Sequence, residues 1–131
     1  MTLTQKVKLL PTKEQQELIV KTMREYIALT NDILNYALAL GEMPKLSSAK
    51  VCAALPSALR GQCVRDVQRI WRKRHKGKLP VLRKPAAIWN NQNYKIEDNS
   101  VSFPVLVNRK SCRIKVKALI PSEVLFFVAL L

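Results

Sequence analysis

The alternation of apolar and polar residues predicts a short strand at the start of the chain. Within residues 3–10, Val7 and Leu9 fall on one side of an extended chain, and Lys6 and Lys8 fall on the other. A period of two residues is typical of a strand with one buried face. We therefore expect a strand whose opposite face is wet and basic.

A long amphipathic helix should follow Pro11. Thr12 is the expected N-cap, and Gln15 occupies the position that completes a capping box. Apolar or small residues then recur at steps of three and four, which is the spacing of one helical face. This stripe consists of Leu18, Ile19, Thr22, Met23, Tyr26, Ile27, Thr30, Ile33, Leu34, Ala37 and Leu38. Gly41 is the expected end of the helix.

Two further helical segments are predicted before the pattern changes. A short one covers residues 48–55, and a longer one opens at Pro56 and runs to Gly77 and Pro80. In the longer one, apolar residues form one side and basic residues advance by four, three and four positions along another. The apolar side contains Leu59, Cys63, Val67, Ile70 and Trp71, and the basic side contains Arg65, Arg69, Arg72 and Lys76. One face should pack against the core while the other stays charged.

After Pro85 the period becomes that of short strands separated by turn-forming residues. The strand-like pieces are residues 88–90, 94–96, 101–103 and 114–117. The clearest hairpin spans residues 94–103, with residues 97–100 at its centre.

A strand before the helices and strands after them predict an α+β fold, a small antiparallel β-barrel split by an inserted helical bundle. The expected divisions are residues 1–10 for the first barrel strand, 11–80 for the helical lobe, 81–120 for the remaining strands and 121–131 for an apolar tail.

Charge then points to a polyanionic partner. The 131 residues carry a formal net charge of +14, and ten basic residues but one acid, Asp66, lie between Arg60 and Lys84. Like charges at this density repel one another, so a folded domain retains them most readily when phosphates neutralise them. The alternative is that they form a solvated helix face. The candidate nucleic-acid-binding residues are Lys6, Lys8, Arg65, Arg69, Arg72, Lys73, Lys76, Lys78, Arg83, Lys84, Trp89 and Asn93.

Two tryptophans accompany the block. Trp89 precedes a run of amide side chains that ends at Asn93, and Tyr94 follows the run. Aromatic rings next to amide groups are a combination that binds unstacked bases. Both core packing and base stacking remain open for Trp89, whereas core packing is the expectation for Trp71.

Candidate catalytic chemistry is sparse in this sequence. His75 lies in the basic run without a neighbouring acid, and we find neither a converging carboxylate set nor a glycine-rich phosphate loop. We expect no enzymatic activity, no cofactor and no metal site.

Cys52, Cys63 and Cys112 are scattered, as in buried thiols of a reducing compartment. A cytoplasmic protein is expected, because residues 1–10 are unlike a signal peptide and the apolar residues 124–131 are shorter than the roughly 20 needed to span a bilayer.

Several segments, taken in order, carry a recognisable pattern. Residues 6–15 read KVKLLPTKEQ and lead into a helix with Asn31 and the YAL of residues 36–38; residues 80–84 read PVLRK. The later segments are YKI at 94–96, NSVSFP at 99–104 and CRIKV at 112–116. In order and spacing they resemble the N-terminal half of the TnpB (OrfB transposase) family of transposon-encoded RNA-guided nucleases, which is related to type V CRISPR effectors.

This resemblance implies a wedge-type β-barrel split by a helical recognition lobe, which together bind guide RNA and the guide–target duplex. The family's nuclease half, with its RuvC carboxylates and zinc-ribbon cysteines, has no counterpart here, so the implied function is binding without cleavage. The chain also departs from the family pattern at Leu82, where phenylalanine is usual, and after Pro104, where a glycine is expected.

The expected partner is therefore a guide-like RNA, with DNA possible and no membrane. The apolar tail should pack onto the barrel, join another copy or a partner chain, or aggregate. The alternative functions are a DNA-binding regulator, an accessory subunit of a separate nuclease, and an inactive truncated transposase remnant.

Overall fold

A computed structural model describes residues 4–47, 51, 53–74, 78–84, 86–89, 94–97, 99–107, 109–119 and 126–130. The elements are β1 (Thr4–Leu10), α1 (Lys13–Leu40), α2 (Ser57–Arg72), β2 (Lys95–Glu97), β3 (Ser100–Val107), β4 (Lys110–Leu119) and β5 (Phe126–Leu130). Both helices fall between β1 and β2 in the sequence. The predicted α+β class is confirmed.

The strands form an open sheet in the order β2-β3-β4-β1-β5. Strands β2, β3, β4 and β1 pair antiparallel, and β5 adds in parallel to β1. Closing a barrel requires the two outer strands to pair with each other. In the described residues β2 and β5 are instead opposite edges, so the predicted barrel is wrong. Residues 126–130 of the predicted apolar tail supply the β5 edge.

Local capping signals decide both ends of α1. Thr12 Oγ1 accepts from the Gln15 backbone N–H at 3.2 Å, and Gln15 Oε1 accepts from the Thr12 N–H at 3.0 Å. At the other end Gly41 has a φ of 82°, a left-handed conformation that favours glycine. Leu38 is the exception in the predicted stripe, because it is 53% exposed. It lies in the last turn of α1, one turn after buried Leu34, so its exposure reflects the lack of a packing element there among the described residues rather than its position around the helix.

Helix α2 begins after Pro56 as predicted and exposes Arg65, Arg69 and Arg72 while burying Leu59, Cys63, Val67 and Trp71. It ends at Arg72, earlier than the sequence indicated. The predicted helix at 48–55 is wrong for the described residues 51 and 53–55, which are not helical; the others lie outside the described residues. Leu55 precedes a proline, and that position disfavours helical backbone angles.

The hairpin predicted over residues 94–103 is confirmed, with Glu97 opposite Ser100 and Ile96 opposite Val101. The strand predicted at residues 88–90 is wrong for Ile88 and Trp89, which have no regular secondary structure. Asn90 lies outside the described residues.

Two hydrophobic clusters share α1. The first joins α1 to α2 through Tyr26, Leu34, Leu59 and Val67, among others. The second joins Ile19, nearer the start of α1, to the inner face of the sheet. Trp89 packs against both clusters. Helix α1 therefore holds α2 and the sheet in one body.

Candidate nucleic-acid interface

The charged side of α2 is exposed and weakly neutralised. Arg65, Arg69 and Arg72 all lie at the surface. Asp66, the one acid of the helix, is buried and its carboxylate pairs with Arg69. This is one of two ion pairs that the described residues contain. Most described residues of the basic block are thus left without a carboxylate partner.

A cavity of about 420 Å³ lies between the C-terminal end of α2 and residues 78–80. It is lined by Arg69, Ile70, Lys73, Arg74, Lys78 and Pro80. Four of these residues are basic, and Ile70 and Pro80 add apolar surface. The cavity combines cations with apolar contact area in one place, as a ligand with a phosphate and a ring system requires.

Two arginines of this cavity are held by neighbours. The guanidinium carbon of Arg74 is 3.9 Å from the ring centroid of Trp71, and Arg74 Nη1 donates to the Trp71 carbonyl at 2.7 Å. Arg69 is held by the carboxylate of Asp66. Because a guanidinium has five N–H donors, each arginine keeps donors for a ligand.

Residues 78–84 are fastened to α1 by one side chain. Asn31 Nδ2 donates to the Leu82 carbonyl at 2.8 Å, and the Leu82 N–H donates to Asn31 Oδ1 at 3.0 Å. This pair of bonds places Pro80 at the cavity and leaves Arg83 and Lys84 exposed beside Leu82. In the sequence, Asn31 stands out only through the family resemblance. A second signal is that Asn31 is a polar residue next to the buried stripe of α1.

The outer face of the sheet is a second basic surface, to which the basic face predicted for β1 contributes Lys8. Cross-strand pairing puts Lys117 beside Leu10 and Ser100, and Lys115 beside Ser102. The exposed basic residues of this face are Lys8, Lys95, Arg113, Lys115 and Lys117. Glu97 is the acid among them and pairs with Lys115 at 3.1 Å.

The predicted site residues divide into three groups. Arg69, Lys73 and Lys78 meet at the cavity. Arg65, Arg72, Arg83 and Lys84 are exposed on α2 and on residues 78–84, and Lys8 lies on the sheet. The side chain of Lys6, and all of Lys76 and Asn93, lie outside the described residues, and so does His75, which is not one of the predicted site residues.

Trp89 is engaged within the fold. Its Nε1 donates to the Pro104 carbonyl at 2.9 Å, and its ring centroid is 4.7 Å from that of Phe103 at an angle of 48°. These contacts favour core packing over base stacking for Trp89. Trp71 is buried, as expected.

Burial keeps the Cys63 thiol and the Tyr26 hydroxyl, which lie between α1 and α2, in their neutral forms. Burial raises the pKa of Cys63 to about 11, opposed by a contact of 3.2 Å with the Thr30 hydroxyl, and burial also raises the pKa of Tyr26. A nucleophilic cysteine requires the opposite shift. The described residues contain no group of three or more His, Cys, Asp or Glu side chains placed to hold a metal ion. Among them, too, neither helix is long and apolar enough to cross a membrane.

Comparisons with protein-family models, with curated proteins and with solved structures found no match to this chain. The family resemblance therefore stands on the sequence motifs alone. The functional argument depends on the charges and contacts described above.

Proposed function

We propose that this chain is a nucleic-acid-binding module that holds structured RNA through α2 and residues 78–84. The observation that carries the proposal is the exposed basic surface of these segments, in which Asp66 offsets a single arginine. Surfaces that serve only solubility usually mix the two signs of charge. Unpaired cations at this density favour a partner that brings phosphates.

In its specific form, the proposal is that the chain corresponds to the wedge and recognition parts of a TnpB-like RNA-guided protein. It would bind guide RNA and guide–target duplex in the cytoplasm, without a nuclease activity or cofactor of its own. The order of the sequence motifs and the position of both helices between β1 and β2 support this form. The open sheet with its basic outer face takes the place of the expected barrel.

The salt dependence of RNA binding tests the proposal. Each phosphate contact on single-stranded RNA contributes roughly 0.7 to the slope of log affinity against log salt, so about five to eight contacts predict a slope of about 3.5 to 5.5 in magnitude. Affinity would be measured on a single-stranded RNA over a series of KCl concentrations. A slope near zero would contradict the proposal.

Charge reversal locates the surface. The double variant R65E/R72E alters two exposed arginines of α2 and should weaken binding to all RNA sequences alike. The matched control is K13E/K21E, which makes the same change in net charge at exposed positions of α1. Equal losses in the two double variants would mean that net charge alone drives binding, and that α2 is a solvated face.

The second candidate is a DNA-binding regulator or an accessory subunit of a separate nuclease. Phosphates are common to RNA and DNA, and the basic side chains described here contact either backbone in the same way. Competition between duplex DNA and structured RNA of equal length separates the two. Preference for the duplex DNA would favour the second candidate.

A further inference from the structure

We infer that the cavity at the end of α2 holds one unpaired nucleotide of the bound RNA. The phosphate would lie among Arg69, Lys73, Arg74 and Lys78, and the ribose or base against Ile70 and Pro80. This inference rests on the proposed function and makes it more specific. The cavity would select RNA that has an unpaired nucleotide over fully paired RNA, whereas the other charges of the surface would contact phosphates of any sequence.

The two arginines are oriented before a ligand arrives. Long side chains that are free in solvent lose rotamer freedom when they bind, and this loss weakens the complex. Here Asp66 holds Arg69, and Trp71 holds Arg74 through both its ring and its carbonyl. A fixed guanidinium can donate two parallel hydrogen bonds to phosphate oxygens, which a lysine cannot do.

The size and the lining of the cavity also suit a single nucleotide. A cavity of about 420 Å³ falls in the size range of small-ligand sites, roughly 300–1,000 Å³. The bases of a duplex are stacked and paired inside the helix, so paired RNA presents only phosphate and sugar to such a concave site. An unpaired nucleotide can turn its base into the cavity, where Ile70 and Pro80 supply apolar contact.

Trp71 and Arg74 already form a stack that an unpaired base could join. Unpaired bases in protein–RNA complexes stack on aromatic rings and on guanidinium planes. Trp71 is buried, so its ring serves as support for Arg74 rather than as a platform. A base in the cavity would extend this stack through the guanidinium of Arg74.

The test uses the full chain and two RNA hairpins that differ by one bulged nucleotide in the stem. Wild-type protein should bind the bulged hairpin more tightly at fixed salt. The variant R74K keeps the charge but loses the planar fork. It should lose about tenfold in affinity for the bulged hairpin and little for the fully paired one. The matched control R24K makes the same replacement at an exposed arginine of α1 that does not line this cavity, and should change neither affinity.

A second variant guards against a folding defect in R74K. K78Q alters an exposed residue outside the helices and should also reduce the preference for the bulged hairpin. If wild type binds both hairpins equally with a steep salt slope, the inference is wrong while the proposed function stands. Equal losses on both hairpins in R74K and K78Q would likewise overturn it. Absence of salt-dependent binding to either hairpin would refute the proposed function itself.

Discussion

Replacing Asn31 with alanine should destabilise the protein, because it removes the two hydrogen bonds that hold residues 78–84 to α1. Both bonds join the side-chain amide to the backbone of Leu82, at 2.8 and 3.0 Å. In N31A the Leu82 N–H and carbonyl lose their partner together. The segment that carries Lys78 and Pro80 to the cavity would then be less firmly placed.

The size of the effect follows from the degree of burial. A hydrogen bond contributes about 1 kcal/mol net, and an unpaired buried polar group costs about 1–3 kcal/mol. Asn31 and Leu82 are only partly buried, so water replaces part of what is lost. Alanine also has a higher helix propensity, which offsets up to about 0.7 kcal/mol. We expect a net loss of about 1–2 kcal/mol in the free energy of unfolding.

Asn35 provides the matched control, since it is an exposed asparagine one turn later on α1. N35A makes the same change in helix propensity without touching residues 78–84. Urea denaturation followed by circular dichroism would give the free energy of unfolding of both variants, and amide exchange at Leu82 would report the lost bond directly. If N31A and N35A agree within about 0.5 kcal/mol, the two hydrogen bonds do not stabilise the fold.

Three further predictions concern the helices and their interface. Leu34 is buried and Leu38 exposed, so L34A should lower the free energy of unfolding by about 2–5 kcal/mol while L38A stays within about 0.5 kcal/mol, and similar losses by urea denaturation would contradict the burial described here. G41A should cost about 1 kcal/mol in the same assay, because alanine is strained at a φ of 82°; an unchanged stability would mean that the helix end adjusts. The raised pKa of Cys63 means that the folded protein keeps a proton that the unfolded chain releases, so this contribution is complete below about pH 9 and is lost as the pH rises toward about 11. Denaturation between pH 8 and 10 should therefore show a smaller decline in C63A than in wild type, and equal declines would refute the assignment.

Features decided by near neighbours along the chain were predictable from the sequence. The capping box of Thr12 and Gln15, the helix end at Gly41 and the hairpin between Glu97 and Ser100 each depend on a few consecutive residues. The division of α2 into a core side and a basic side followed from helical spacing alone. For the candidate site, the sequence showed which residues carry charge and that phosphate is their fitting partner.

Features that join distant segments required the tertiary structure. The sheet of the described residues is open because β2 and β5 lie at opposite edges. This order depends on the pairing of β1 with β4 and β5, more than a hundred residues away, and no local pattern records which strands become edges. The exposure of Leu38 depends on where the other elements pack, not on its place in a periodic stripe.

The same distinction applies to the candidate site. The sequence by itself determined its charge, because charge is a property of each residue. The bonds from Asn31 to Leu82, the packing of Trp89 on Phe103 and the meeting of Lys78 with Arg69 at one cavity were decided only when the chain folded back on itself. Geometry of this kind arises from contacts between segments, and residue order alone does not specify it.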